Sequence, residues 1–350
     1  MTNRSGLHSV RWGVVVLLAL GLVPGRAHGQ IILQDLVFTG GVSGEGYRGN
    51  LAAVTVPAVD STDQASAGVM ELGIRGALLW SHEDNRTLNI RWDGGLRQFM
   101  AGGFRVRDYA PREWVGSADL GYDQTVGSWG ELRVQLGVAG RQVDDRPPMP
   151  LFIQPGYGTL DGSVGLQFLP LGGIRFDSRV LGEYTRYETG PLTPQMALLD
   201  REVVGAELGA SWARSFGVRA HAGFRVVDYP NQRTFDPSDP FRRDRMFTVG
   251  VTVNVPSPLV AQLGLEGVLN RSNSSRPEYD AIRFRGVASA PLPMGVSLNL
   301  FAVLTTKGYL EETEFARLVP GEEADNASVV YAELARPVAI NLDSAVRFGW

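Results

Sequence analysis

Cysteine is absent from the 350 residues. That removes disulfide frameworks, thiolate metal sites and lipoprotein acylation together, and it suits an oxidising compartment where a stray thiol is a liability. Lysine is nearly absent as well, so the cationic side chains are arginines, with Lys307 the exception. Histidine is scarce: His8 and His28 lie in the N-terminal segment and His82 in a tight turn, which leaves His221. No excess of either charge exists. A net charge of −4 argues against a nucleic-acid binder or an acidic tail and leaves neutral or mixed-charge partners. Beyond the first thirty residues no segment approaches the ~18 continuous apolar residues of a spanning helix.

The N-terminus has the layout of an export signal. Arg4 and Arg11 form a positive flank, Gly13 to Pro24 an apolar core, and Ala27-His28-Gly29 places small residues at −3 and −1 before Gln30. Residues 1–29 are therefore expected to be a cleaved signal peptide and 30–350 the mature domain. As a single-pass anchor the apolar core would cover only about two-thirds of the ~30 Å hydrocarbon layer.

What the chain does have is alternation. Fifteen stretches from about Leu36 to Trp350 change polarity at every residue. In Thr87 to Met100, Leu88, Ile90, Trp92, Gly94 and Leu96 share one parity, and Asn89, Arg91, Asp93, Gly95 and Arg97 share the other. Met70 to Trp80, Glu131 to Arg141 and Phe247 to Val255 split in the same way. Successive side chains of a strand point to opposite faces, so each stretch predicts a strand with one face suited to lipid and one to water. Strands cross hydrocarbon only as a closed barrel, because lipid offers no partner to an unpaired N–H. A mean hydropathy of −0.05 is compatible with that, since only alternate residues meet lipid. The fold expected is all-β: a transmembrane antiparallel β-barrel of about 14–16 strands.

The connections alternate in length. Tight ones are expected at Ser81 to Arg86, Thr125 to Ser128, Pro170 to Gly173, Ala213 to Phe216, Pro256 to Pro258, Pro291 to Met294 and Arg336 to Ala339. Long ones are expected at Arg48 to Ser66, Ala101 to Pro111, Gln142 to Gly156, Glu188 to Arg201, Tyr229 to Arg243, Arg271 to Glu278 and Lys307 to Asn326. Trp80, Tyr122, Phe168 and Trp212 have lipid-facing parity and sit at the tight-turn ends of their strands, as an interfacial girdle would. Glycines recur on the opposite parity, at Gly73, Gly95, Gly121, Gly137, Gly165, Gly209 and Gly223, where they relieve crowding.

With these features the chain resembles the bacterial outer-membrane β-barrel, or porin-like, superfamily over Gln30 to Trp350. The closing residues Ile340, Leu342, Ser344, Val346, Phe348 and Trp350 resemble the family's C-terminal insertion signal, with Trp in place of the usual terminal Phe. The resemblance implies residence in the cell outer membrane, outer-membrane lipid and the barrel-assembly machinery as partners, short turns in the periplasm and long loops outside. Fifteen is an odd count, whereas single-chain bacterial barrels are even. Parity would be restored by a sixteenth strand beyond Trp350 or by a second short strand within Leu36 to Val56. The first is expected, because the second would turn every long loop into the periplasm.

The water-facing parity carries the candidate pore lining: Arg75, Arg91, Arg97, Arg133, Arg175, Arg179, Arg219, Arg225, Arg283 and Arg285, with Asp119, Glu131, Asp177 and Glu183, and His221 among them. Rings of such charges set selectivity in channels, and the same residues paired with one another would only brace the wall. Neither sign dominates. The function expected is a porin-like channel for passive or weakly selective passage of small solutes. The alternatives are a structural, binding or polymer-export barrel and, behind these, a barrel enzyme. No enzyme is expected, since His221 has no assignable Ser partner. No metal site or cofactor is expected either. Gly44 to Gly49 matches G-x-G-x-x-G but opens no helix, so it is assigned to the end of the first strand and a loop. Asp236 to Pro240 and Glu322 to Asp325 are assigned to solvated loop charge. Arg146 to Pro155 (RPPMPLFIQP) is apolar enough to fold into the lumen or lie on the rim.

Overall fold

The computed structural model describes residues 30–48, 64–82, 85–102, 110–145, 156–189, 194–234, 236–256, 260–274, 278–310, 328–339 and 342–349. They form β1 (Gln30–Arg48), β2 (Gln64–His82), β3 (Arg86–Gly102), β4 (Arg112–Val126), β5 (Gly130–Asp144), β6 (Tyr157–Leu171), β7 (Ile174–Tyr187) and β8 (Arg201–Ala213). Then follow β9 (Gly217–Arg233), β10 (Phe241–Val255), β11 (Val260–Ser272), β12 (Tyr279–Leu292), β13 (Val296–Tyr309), β14 (Val329–Ala339) and β15 (Leu342–Gly349). All fifteen lie in one sheet in chain order, each antiparallel to the next. The sheet wraps a lumen, and β7 to β13 together line one cavity. The architecture is a transmembrane antiparallel β-barrel. Because neighbours alternate in direction, β1 and β15 run the same way, and no ladder joins them among the described residues.

The polarity of the wall is inverted relative to a water-soluble protein. Its large apolar side chains are on the outside: Phe38 is 72% exposed, Leu208 65% and Val249 64%. Buried positions include Glu113, Arg242, Asp244 and Asn270. Among the described residues the greasy stripes face no second sheet. On β9 to β12 the outward residues form an unbroken apolar band: Val218 to Val226, Phe247 to Val255, Ala261 to Leu269 and Ile282 to Ala290 on alternate positions, held side by side by the register. Immediately beyond it on the same face stand Asp228, Arg245, Arg271 and Asp280, with Arg271 bonded to Asp280 at 2.8 Å. Each stretch is nine residues, about 30 Å of strand, which at ~45° tilt rises about 21 Å and fits an outer-membrane hydrocarbon layer.

Connections alternate as the sequence predicts, tight at 83–85, 127–129, 172–173, 214–216, 256–259, 293–295 and 340–341 and long elsewhere. The 172–173 turn uses Gly172 (φ +64) and Gly173 (φ +87), the left-handed pair that a two-residue hairpin needs to match strand twist. Three boundaries differ from the sequence-based expectation. Strand β14 continues through Arg336 to Ala339, absorbing Pro337 at a register shift, so two residues separate it from β15. Pairing of β9 with β10 extends to Arg233 and Phe241, which shortens that loop to 234–240. Strand β1 begins at Gln30 and pairs in one piece to Arg48, so Gly44 to Arg48 is strand, with no second strand inside 30–48. Residues 1–29, 146–155 and 322–325, with Ile340 and Trp350, fall outside the described residues.

On the outer face Trp92 lies across Gly76, its register partner, with indole atoms where a side chain at Gly76 would stand. An aromatic ring covering a bare strand backbone restores the packing that glycine forgoes. Gly76→Val should expel the indole and cost about 1–3 kcal/mol by overpacking. Urea unfolding of the refolded protein in detergent reads this as a lower midpoint.

Candidate functional site: the lumen wall

Cross-strand register places every candidate lining residue on the inner face: Arg75 opposite Asp93, Arg91 opposite Asp119, Arg97 opposite Glu71 and Glu113, Arg133 opposite Asp123, Arg179 opposite Glu207, and Arg283 opposite Glu266. Asp177, Glu183, Glu131, Arg175, Arg219, His221, Arg225 and Arg285 fall on the same face.

Many of these charges are brought together. Near the long-loop end Arg97 donates to Glu71 at 2.9 Å and to Glu113 at 3.2 Å, and Arg141 closes on the other Glu113 oxygen. Near the tight-turn end Arg133 holds Asp123 at 2.7 Å and Glu131 at 3.2 Å. Also toward the tight-turn end, Arg219 bridges Asp177 (2.7 Å) and Glu207 (2.8 Å), and Arg179 reaches Glu207 at 2.9 Å. Arg201 pairs with Glu183 at 3.1 Å. Arg75 stands 3.8 Å from Asp35. His221 Nε2 lies 3.4 Å from Glu266, whose other oxygen accepts from Arg283 at 3.0 Å. His221 Nδ1 is buried and has no hydrogen-bond partner. Among the described residues no three His, Asp or Glu side chains gather as a metal site.

Glycine on the inner face is what allows these contacts. A Cβ at Gly209 would stand 2.6 Å from the Asp177 carboxylate and 2.7 Å from Arg219, and one at Gly250 would meet the His221 ring at 2.5 Å. The charged side chains lie flat along the wall across these gaps, and so meet partners two strands away. Arg91, Arg175, Arg225 and Arg285 form no hydrogen bond or ion pair among the described residues, and Asp119 and Asp161 form no ion pair. Register puts those two carboxylates on β4 and β6, while Arg225 and Arg285 stand on β9 and β12, roughly half the wall away.

A cavity of about 750 Å³ lies along β7 to β13. Its upper part holds Arg242, buried with Asp244 and set 4.2 Å over the Tyr229 ring. Lys307 stands 3.9 Å over the ring of Tyr279. A short 3-10 helix, Pro194–Leu199, is clamped at this mouth. Gln232 donates to the Leu198 carbonyl and accepts from Arg242 at 3.0 Å, Asn231 donates to Ala197 at 2.9 Å, and Asp200 accepts the Tyr187 N–H at 2.8 Å. Sequence reasoning missed Glu113, Arg201, Arg242, Asp244 and Lys307. The parity of β4 and β10, continued past the apolar band, contains the signal: Arg242, Asp244, Met246 and Thr248 alternate just as Gly250 and Thr252 do.

Trp80, Tyr122, Phe168 and Trp212 project outward at the tight-turn ends of β2, β4, β6 and β8. They are reinforced there by His82 stacked on Trp80, Trp129 beside Phe168 and Phe216 edge-on to Trp212. Outward aromatics stand at the other end as well: Trp114 and Tyr184 occupy the opposite margin, and Arg186 covers the Tyr184 ring.

Topology and inverted polarity define the class, an outer-membrane-type β-barrel. No family model and no curated protein matches the chain. Among solved structures it is similar to the alcaligin outer membrane receptor FauA from Bordetella pertussis at 9% identity, with a TM-score of 0.37 over 89% of this chain and 57% of that one. It is similar to the copper transporter OprC at 10% identity and TM-score 0.34, over 89% and 60%. It is also similar to Salmonella typhi OmpF in complex with daunomycin, at 9% identity and TM-score 0.36, over 90% and 97%. The chain thus spans under two-thirds of the first two, and no solute is carried over from any of the three.

Two outcomes follow from this geometry. Glu113→Ala removes the carboxylate that Arg97 and Arg141 share at an almost fully buried position and should cost about 2–3 kcal/mol in urea unfolding. In the 234–240 loop, Ser238 donates both its N–H (2.8 Å) and its hydroxyl (2.7 Å) to Asp236, which holds that carboxyl below its ordinary value of 3.8. A depressed folded pKa stabilises the turn above 3.8, and this is lost as pH falls through the folded value. Carboxyl-carbon NMR titration of Asp236 should show a midpoint below 3.8.

Proposed function

We propose that the chain is an outer-membrane channel through whose lumen small solutes pass with weak selectivity. The reading includes export by a cleaved signal at 1–29, insertion by the barrel-assembly machinery through the C-terminal strand, and lipid packed on the apolar band between the aromatic margins. It is non-enzymatic and needs no cofactor. One observation carries it: the inner wall bounds an open cavity of about 750 Å³ along seven consecutive strands, most of whose lining side chains are polar or charged and some of those unpaired. Such groups remain solvated in a water-filled path and would be costly in a filled core.

Among the described residues, four arginines without an ion pair against three such aspartates, Asp93, Asp119 and Asp161, favour a mild preference for anions. A second reading, a binding barrel without steady conductance, is favoured by the 3-10 helix clamped at the mouth. Planar bilayers separate the two. The channel predicts stable open steps, a reversal potential in a KCl gradient of anion-preferring sign, and a stronger preference in Asp119→Asn with Asp161→Asn. A correctly folded barrel that stays silent rejects the channel.

A further inference from the structure

The inner face of β12 to β14 breaks the rule that the lumen is polar. Register aligns Val303 with Arg285, Phe301 with Val287, Tyr331 with Phe301, and Val329 with Val303, so five apolar or aromatic side chains share one inward patch. Phe301 and Tyr331 stack with centroids 4.8 Å apart and planes 18° from parallel. Val287 remains 46% exposed and Val329 41%. Lipid cannot cover them, since it meets the other face of the sheet. At about 25 cal/mol per Å², apolar surface left against water weakens the fold without return unless something else covers it.

Arg285 stands at the edge of this patch, exposed and without a partner among the described residues. The nearest inward carboxylates by register are engaged elsewhere. Glu266 is held by Arg283 and His221, and Glu333 accepts from Asn299 at 3.2 Å. Thr252 and Gln262 border the same cavity beside Arg285, Val287, Phe301 and Val303. A guanidinium fork offers paired donors that match a carboxylate, and a flat apolar surface next to it takes a flat apolar body.

We propose that this patch is a binding site for small organic monocarboxylates with a planar apolar body, of benzoate size. The carboxylate sits on Arg285 and the ring lies against Val287, Val303 and Phe301. The inference rests on the channel reading above for its biological meaning, but the site itself can be tested without conductance.

The test is equilibrium binding to the full refolded chain in detergent with three probes: benzoate, acetate, which lacks the body, and benzylamine, which reverses the charge. Benzoate should bind at least about tenfold more tightly than either of the others, because both halves of the site are needed. Arg285→Gln should weaken benzoate about tenfold, and Phe301→Ala should bring benzoate close to acetate, with heat-modifiable gel mobility confirming the folded barrel. If Arg285→Gln does not fold, Arg285→Lys keeps the charge, loses the fork and should still weaken benzoate severalfold. Equal binding of benzoate and acetate, or benzoate binding indifferent to either Arg285 variant, overturns the site. Open channels without benzoate binding reject the site and leave the channel standing. Benzoate binding by a barrel that stays silent in bilayers does the reverse.

Discussion

Hydrocarbon gives an unpaired peptide group nothing to bond to, and the rest of this structure follows from that. Strands β2 to β14 are each paired on both flanks by their neighbours, so the described chain runs as an antiparallel meander with no crossover. Once the backbone is satisfied within the sheet, side chains alone decide which face meets which solvent. The nine-residue bands on β9 to β12 stay in step because the ladder holds them there. Charge reappears on all four strands just beyond the band, at Asp228, Arg245, Arg271 and Asp280.

The inner face obeys a different economy. Arginine and carboxylate side chains are long, and inward projection from a concave wall would crowd them. Glycines between them clear lanes along the wall, so Arg219 reaches both Asp177 and Glu207, and His221 crosses Gly250 toward Glu266. The result is a lining tied in short ion-paired groups, with a few charges left over. Those remaining charges, more than the total, shape the field a solute meets.

Much of this is legible in the sequence because period-two polarity is a local property. The fifteen strands, the tight and long connections, and the inward placement of Arg97, Arg219 and Arg283 all follow from parity. Strand ends are less legible. Where a strand leaves the membrane its outer face turns polar, the alternation fades, and the continuation of β9 and β10 past the band resembles a loop. Pairings were beyond reach for another reason: parity says that Glu113 faces inward but not that Arg97 and Arg141 converge on it. The apolar patch on β12 to β14 was hidden because Val287, Phe301 and Val303 are hydrophobic on the parity assigned to water, and only the register of three strands shows them side by side.

The scarcity of lysine meets the geometry at one point. Lys307 projects into the lumen with its ammonium 3.9 Å over the Tyr279 ring. The chain therefore presents one side-chain amine, and it lies inside the wall. A reagent selective for amines can reach it only from within the lumen, so acylation of Lys307 reports entry of the reagent into the interior.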